Sequence, residues 1–170
     1  MISKKMQDAI NEQIKLEFYS ANLYLSMSAY MEGKNLKGIA HWLKVQYEEE
    51  TFHALKLYDY MNSREGQVVM PSVDAPPVDF GSPLETFEQV LKHEQEITGA
   101  IHKLYKVAVE ENDFAAQIFL QWYITEQMEE EASASEVIGK MKLIGDSGID
   151  LLYLDNELSS RVFVPPAANA

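Results

Sequence analysis

Apolar residues recur every three to four positions along four long stretches of the chain, and the strict alternation typical of β-strands is scarce. Each stretch is about 28 residues, or roughly 42 Å of α-helix. A shorter stretch of the same kind follows near the C-terminus. The pattern predicts helices from about Lys5 to Glu32, after Asn35 to about Ser63, from Ser82 to about Glu111, from Asn112 to just before Gly145, and from about Ser147 to Ser160.

The predicted helix ends carry recognisable capping signals. Ser82, Pro83 and Glu85 form a capping box with proline at the first helical position. Asn35 is a suitable N-cap for the second helix, and Gly33 is expected to end the first.

The lengths of the connections predict the topology. The links after the first, third and fourth helices are only a few residues long, so the helices they join are expected to lie antiparallel. The segment 64–81 is much longer, contains three of the six prolines and can reach up to ~60 Å when extended. It predicts a crossover along the full length of a bundle, with the second and third helices pointing the same way.

The chain is therefore expected to be all-α: a four-helix bundle with a long crossover between helices two and three, plus a short C-terminal fifth helix. A length of 170 residues fits one domain. The expected division places the bundle at about 5–144, the fifth helix at about 147–160 and a loose tail at 164–170.

Acidic residues interrupt the apolar seam near the middle of each long helix. Glu17, Glu50 and His53 recur 77 positions later as Glu94, Gln127 and Glu130, which predicts two related helical hairpins. Since these positions share faces with residues such as Ile10 and Leu43, the polar side chains are expected to face one another inside the bundle.

Buried carboxylates without partners are costly, and the seams offer no lysine or arginine to neutralise them. Metal cations would stabilise such a cluster. The absence of cysteine excludes thiolate sites, and an oxygen-rich donor set with one imidazole favours iron or manganese. A purely structural network of buried polar groups is the alternative.

The charge balance limits the partners. With 14 basic and 27 acidic residues the formal charge is −13, which argues against binding to nucleic acids and anionic membranes and attracts cations. The chain has no apolar run long enough for a membrane span, and its first residues lack the apolar core of a signal peptide. A cytoplasmic location is expected.

Over nearly its whole length the chain resembles the bacterial non-haem ferritins. The likeness rests on Asn11–Glu17 with Tyr24, on Glu48–His53, on His93–Gln95, on Phe119–Tyr123 with Glu126, Gln127, Glu129 and Glu130, and on Gly148–Leu158. The resemblance implies a shell of 24 identical subunits and an iron-storage function. It also implies a ferroxidase centre in each bundle, where Fe(II) is oxidised by O₂ or H₂O₂ and passed on to a ferric oxyhydroxide mineral.

Carried over position by position, the resemblance implies three iron sites. The first iron would take Glu17, Glu50 and His53. The second would take Glu94 and Glu130, with Glu50 bridging and Gln127 hydrogen-bonding on the O₂ side. A third, accessory iron would use Glu49, Glu126, Glu129 and Glu130. Tyr24 would supply a hydrogen bond or an electron, and Trp122 would lie nearby.

Two departures from related families narrow this interpretation. Gln127 stands where bacterioferritins and many di-iron proteins have a second Glu-x-x-His motif, and Thr51 stands where bacterioferritins have their haem-binding methionine, so no haem is expected. The DNA-binding mini-ferritins are shorter and lack the fifth helix, so this chain is not expected to have their role. The alternatives left open are a passive cage subunit, a di-iron oxidase or peroxide scavenger that forms no shell, and a manganese enzyme of the same fold.

Overall fold

Five helices account for most of residues 2–166, the part of the chain that the structure, a computed structural model, describes. No strand is found within those residues. The predicted all-α fold is confirmed, with helix bounds within a few residues of those expected. The helices are α1 (Lys4–Gly33), α2 (Lys37–Ser63), α3 (Pro83–Glu110), α4 (Phe114–Ile144) and α5 (Gly148–Leu158).

Two apolar clusters occupy opposite ends of the bundle. One contains the second half of α1, the first half of α2, the first half of α3 and the second half of α4, with Trp42 packed on Phe87 at a ring distance of 4.9 Å. The other contains the remaining halves, including Ile10, Leu57 and Ile101. Helices α2 and α3 therefore run in the same direction, while α1 and α4 run in the opposite one, which confirms the predicted topology.

The crossover lies along α1 and is attached to it by polar side chains. Near the start of α1, Asn11 donates to the carbonyl of Gln67 at 3.0 Å and accepts from the amide of Val69 at 2.9 Å. Near the end of α1, Ser26 donates to the carbonyl of Pro77 at 2.7 Å. These contacts follow the helix from one end towards the other, as a full-length crossover requires.

The N-terminus of α2 is capped differently from the prediction. Asn35 adopts a left-handed conformation with φ of 60° and closes the end of α1, a role that its short polar side chain tolerates. Leu36 takes the N-cap position without a side-chain hydrogen bond, and Asp155 of α5 instead accepts from the amide of Ile39 at 2.8 Å. The cap thus comes from a residue 116 positions away.

The segment after α5 returns along α2. Residues 161–166 are non-helical and include the first part of the expected loose tail, while 167–170 lie outside the described residues. Arg161 and Phe163 both contact α2 side chains. None of the helices in the described part of the chain combines the length and hydrophobicity that crossing a lipid bilayer requires.

Candidate metal centre

A layer of polar side chains separates the two apolar clusters. Along each long helix, the polar residues of this layer lie between apolar residues of the two clusters. On α1, for example, Ile14 belongs to one cluster and Tyr24 to the other, and Glu17 lies between them. The six residues that the layer brings together are all at most 4% exposed: Glu17, Glu50, His53, Glu94, Gln127 and Glu130.

Two sets of ligand atoms within this region are close enough to share a metal ion. Glu17, Glu50 and His53 each offer an atom within 4.8 Å of the others, and all three residues are buried. His53, Glu126 and Glu130 form a second set of the same size. The first set contains the three residues expected around the first iron, and the second involves residues expected around the second and third.

Several buried atoms in the layer have no hydrogen-bond partner among residues 2–166. They are one oxygen of Glu17, both oxygens of Glu50, the Nε2 atom of His53 and the amide oxygen of Gln46. Unpaired buried polar atoms are rare because each one loses its hydration without compensation. Four of these five belong to the first ligand set, and a cation bound there would satisfy them.

The remaining oxygens are held by neutral donors that orient the carboxyl groups. Gln13 donates to Glu17 Oε1 at 2.9 Å, and Gln127 donates to Glu94 Oε2 at 3.1 Å. The hydroxyl of the buried Tyr24 donates to the other oxygen of Glu94. Glu17 is thus oriented by one donor and Glu94 by two, a common arrangement around metal ligands, whereas Glu50 has none within the described part of the chain.

Two further supports were not predicted from the sequence. Gln46 donates to Glu130 Oε2, and the Tyr123 hydroxyl donates to the backbone carbonyl of His53 at 2.8 Å. A signal existed for Gln46, since it is a polar residue one heptad before His53 on the same face of α2. Tyr123 carried none, because an aromatic residue on a seam is usually part of the apolar core.

Burial dominates the protonation equilibria of the acidic groups. It raises the pKa of Glu17 and of Glu94 to about 7 and that of Glu130 to about 8, and neighbouring carboxylates increase the effect on Glu130. The pKa of Glu50 is also raised well above its usual value, again chiefly by burial and then by Glu94 and Glu17. The layer therefore retains protons near neutral pH unless a cation replaces them.

His53 shows the opposite shift. Burial, followed by the charge of Lys56, lowers the pKa of its imidazole to about 3. Its Nδ1 atom lies 3.4 Å from Glu50 Oε2, but a neutral ring makes this a contact between polar groups and not an ion pair. A neutral imidazole is the form in which histidine binds metals.

The three outer acids differ in their surroundings. Glu126 is partly buried, and its Oε1 lies 3.9 Å from His53 Nε2. Glu49 is paired with Arg161 at 2.5 Å, and Glu129 is exposed and belongs to neither ligand set found among the described residues. Trp122 lies edge-on to His53 with ring centroids 5.3 Å apart.

A helical bundle with a crossover and a carboxylate-rich cluster drawn from all four helices defines a class, the four-helix metal-carboxylate proteins. Among known protein families, the family model of the ferritin-like domain matches residues 7–144 of this chain. The chain belongs to the ferritin family, which confirms the resemblance seen in the sequence.

Relatives and solved structures match nearly the whole chain. It is 44% identical over 161 residues to the bacterial non-heme ferritin of Bacteroides fragilis strain 638R, covering 95% of this chain and all of the relative. The corresponding ferritin of Staphylococcus aureus strain MRSA252 is 37% identical over 163 residues, covering 96% and 98%. An engineered closed form of Archaeoglobus fulgidus ferritin superimposes with a TM-score of 0.95 at 48% identity, covering 96% and 100%. The open-pore form of the Archaeoglobus fulgidus ferritin superimposes with a TM-score of 0.94 at 48% identity, covering 95% of this chain and 100% of that one.

Proposed function

We propose that this protein is an iron-storage ferritin that oxidises Fe(II) at a di-iron centre inside each bundle and deposits ferric oxyhydroxide within a shell. The observation that carries the proposal is the set of buried, unpaired ligand atoms on Glu17, Glu50 and His53. A structural network would pair these atoms with protein donors. Unpaired oxygens beside a neutral imidazole instead suit a divalent cation of the iron type.

In this proposal both irons are substrates held by residues of one chain. Glu17, Glu50 and His53 bind the first, and Glu94 and Glu130 bind the second. Glu50 bridges the two, which agrees with both of its oxygens being free of protein donors. Gln127 and Tyr24 donate to Glu94 and hold it in place, with Gln127 on the O₂ side.

The chemistry requires electrons from the irons and protons from the surroundings. Two Fe(II) ions each give up one electron, and O₂ accepts both together with two protons to form H₂O₂. The raised pKa values of Glu17 and Glu94, caused mainly by burial, mean that iron binding releases protons at neutral pH. His53 takes no part in proton transfer because burial keeps its pKa far below neutrality.

A third, accessory iron is proposed at Glu49, Glu126, Glu129 and Glu130. Support comes from Glu126 and Glu130, two of these four acids, which offer ligand atoms within 4.8 Å of each other. No haem is assigned, and the Thr51 hydroxyl is turned back to the carbonyl of Tyr47 at 2.8 Å.

The proposed assembly is a shell of 24 copies of this one-domain chain in the cytoplasm. Its support is a group of exposed apolar side chains around α5, namely Leu143, Ile149, Leu152 and Tyr153, each more than 60% exposed. Exposed apolar side chains grouped in this way favour burial against another copy of the chain.

The test is anaerobic loading with two to three Fe(II) ions per chain, followed by rapid mixing with O₂. The transient blue absorbance and the rise of ferric iron are then recorded. A fast phase that saturates at two or three irons per chain is expected for the wild type. Glu50→Ala is expected to lose it, because the bridging oxygens are removed. Glu48→Ala is the matched control, since Glu48 is exposed on the same helix.

Other outcomes separate the alternatives. A slow rise equal to that of free iron, unchanged by Glu50→Ala, would mean a passive cage and would overturn the ligand assignment. Manganese in the purified protein, with little oxidation of iron, would indicate a manganese enzyme. A chain that oxidises iron but elutes from a sizing column far below 24 copies of 19.4 kDa would be an oxidase without a shell.

A further inference from the structure

The strongest feature that the di-iron proposal does not use is the position of Arg161. This residue follows α5 in the segment that returns along α2, and its side chain is only 18% exposed. Its Nη2 atom donates to Glu49 Oε2 at 2.5 Å, while Glu49 itself is 12% exposed. One of the four acids assigned to the accessory iron therefore already has a cation.

The guanidinium is held at this place by more than the ion pair. It lies over the ring of Trp42 at 4.1 Å, a cation–π contact, and Nη1 is 3.5 Å from the Trp42 carbonyl oxygen. The backbone carbonyl of Arg161 accepts from the ring of His41 at 2.8 Å. Two residues further on, Phe163 packs against Phe52 at 5.6 Å. The segment is thus docked along α2, and Arg161 is its charged contact.

The charges around Glu49 explain why a cation is needed there. Burial, together with Glu130 and Glu126, raises the pKa of Glu49, and the charge of Arg161 acts against this shift. The charge of Arg161 also opposes the rise in the pKa of Glu130, which burial and Glu94 cause. The guanidinium therefore favours the ionised form of the same carboxyl groups that would bind a metal ion at the accessory site.

We propose that Arg161 is an internal competitor for the accessory metal ion: it occupies Glu49 when no metal is bound there, and a divalent cation must displace it and the attached C-terminal segment to bind. The inference rests on the proposed function, since it concerns the third site of that centre. Arg161 is a positioning residue, because it acts through Glu49 and touches neither of the two central ligand sets. Its consequence is that the first two sites fill before the third.

Zinc tests the competition without redox chemistry. The metal-free, assembled full-length protein is titrated with Zn²⁺ in a calorimeter, and the affinities of the first two and of the third equivalent are compared. Arg161→Gln is expected to bind the third Zn²⁺ roughly tenfold or more tightly than the wild type, because a partly buried ion pair no longer has to be broken. The first two equivalents should change much less, because the Arg161 side chain is hydrogen-bonded to Glu49 and to none of their ligands.

Arg64→Gln is the matched control. Arg64 also forms a partly buried ion pair, with Asp113 at 3.0 Å and side-chain exposures of 24% and 12%. This substitution removes an arginine of similar burial that does not contact Glu49. The affinity for the third Zn²⁺ should therefore equal that of the wild type. An equal gain in Arg64→Gln and Arg161→Gln would overturn the proposal, since general loosening would then explain both.

A second measurement needs no change at Arg161. In Trp122→Phe the only remaining tryptophan is Trp42, which lies under the guanidinium. Displacement of Arg161 should change Trp42 fluorescence at the third equivalent of Zn²⁺ and not at the first two. No change at the third equivalent would overturn the proposal.

The two proposals fail in different ways. Competition is wrong if Arg161→Gln binds the third Zn²⁺ with unchanged or weaker affinity while the first two still bind tightly, and the di-iron proposal then stands. The di-iron proposal is wrong if the first two equivalents do not bind tightly in the wild type, or are insensitive to Glu50→Ala.

Discussion

At the level of single residues, the centre combines four buried carboxyl groups with one neutral imidazole. Burial raises the pKa values of the carboxyl groups towards or above neutrality and lowers that of His53 to about 3. The metal-free centre therefore retains a substantial part of its protons near neutral pH. This lowers the cost of burial until a cation arrives and exchanges with the protons.

These shifts predict how the stability of the metal-free protein depends on pH. A carboxyl group with a pKa of about 7 when folded and about 4.3 when unfolded stabilises the folded state below the lower value. This stability is lost as the pH rises through the folded pKa. His53 acts in the opposite direction, but only below its unfolded pKa of about 6.5. The window from pH 6.5 to 8 therefore isolates the carboxyl groups.

Between pH 6.5 and 8 we expect the free energy of unfolding to fall by up to about 1.4 kcal/mol per pH unit for each carboxyl that titrates. Guanidinium unfolding of the metal-free protein, at fixed protein concentration, measures it. Glu17→Gln should reduce the slope because it removes one titrating group. A free energy of unfolding that rises between pH 6.5 and 8 would contradict the assigned shifts.

The donors behind the ligands give a second prediction at this scale. Gln46→Leu removes the hydrogen bond to Glu130 while keeping a side chain of similar size. The affinity of the centre for the second metal ion should fall roughly 10- to 100-fold, as for other supporting partners of metal ligands. Zn²⁺ calorimetry measures this, with Gln95→Leu on the exposed face of α3 as control. An unchanged second affinity in Gln46→Leu would show that the bond does not orient Glu130.

At the level of elements, α5 and the start of α2 depend on each other. Asp155 caps the amide of Ile39, and Gly38 allows the two helices to approach closely. A Cβ atom built on Gly38 would lie 1.6 Å from the carbonyl oxygen of Asp155, which no side-chain rearrangement can relieve. The fifth helix therefore fits only because this position lacks a side chain.

We expect Gly38→Ala to displace α5 and lower the melting temperature by several degrees, because backbone has to move. Gly139→Ala is the matched control, since its added Cβ meets nothing within 4 Å and alanine favours the helix by about 1 kcal/mol. Thermal unfolding followed by circular dichroism compares the two. Equal or higher stability of Gly38→Ala would mean that the close contact between α2 and α5 is not maintained.

At the level of the whole molecule, the two apolar clusters hold the polar layer in a fixed position. Each cluster uses residues from all four long helices, so the ligands of the layer are carried on elements that pack on both sides of it. Apolar side chains are also exposed on the outside near α5, where Leu143 and Ile149 are 89% and 71% exposed. This distribution fits a chain that buries a further apolar surface on assembly.

Ile149→Glu should weaken the shell, because a charge would be buried in the interface. Size-exclusion chromatography with light scattering is expected to show species much smaller than the wild-type shell. Circular dichroism should show unchanged helix content, since Ile149 is exposed within the single chain. An intact shell in Ile149→Glu would place the contact surface elsewhere.

The sequence by itself determined the helices, their directions and the residues of the polar layer. Helix periodicity is a local property, and the lengths of the connections limit how the helices can be arranged. A charged residue on an otherwise apolar helix face is also recognisable as a candidate ligand, because its burial without a partner is costly. Glu17, Glu50, His53 and Glu94 were found in this way.

Only the tertiary structure decided which distant residues complete these local features. Asp155 caps α2 in place of the predicted Asn35, Gln46 reaches across to Glu130, and Arg161 neutralises Glu49. These pairs are separated by 84 to 116 positions and follow no period. Such contacts depend on how whole helices and the C-terminal segment pack, so no local pattern in the chain encodes them.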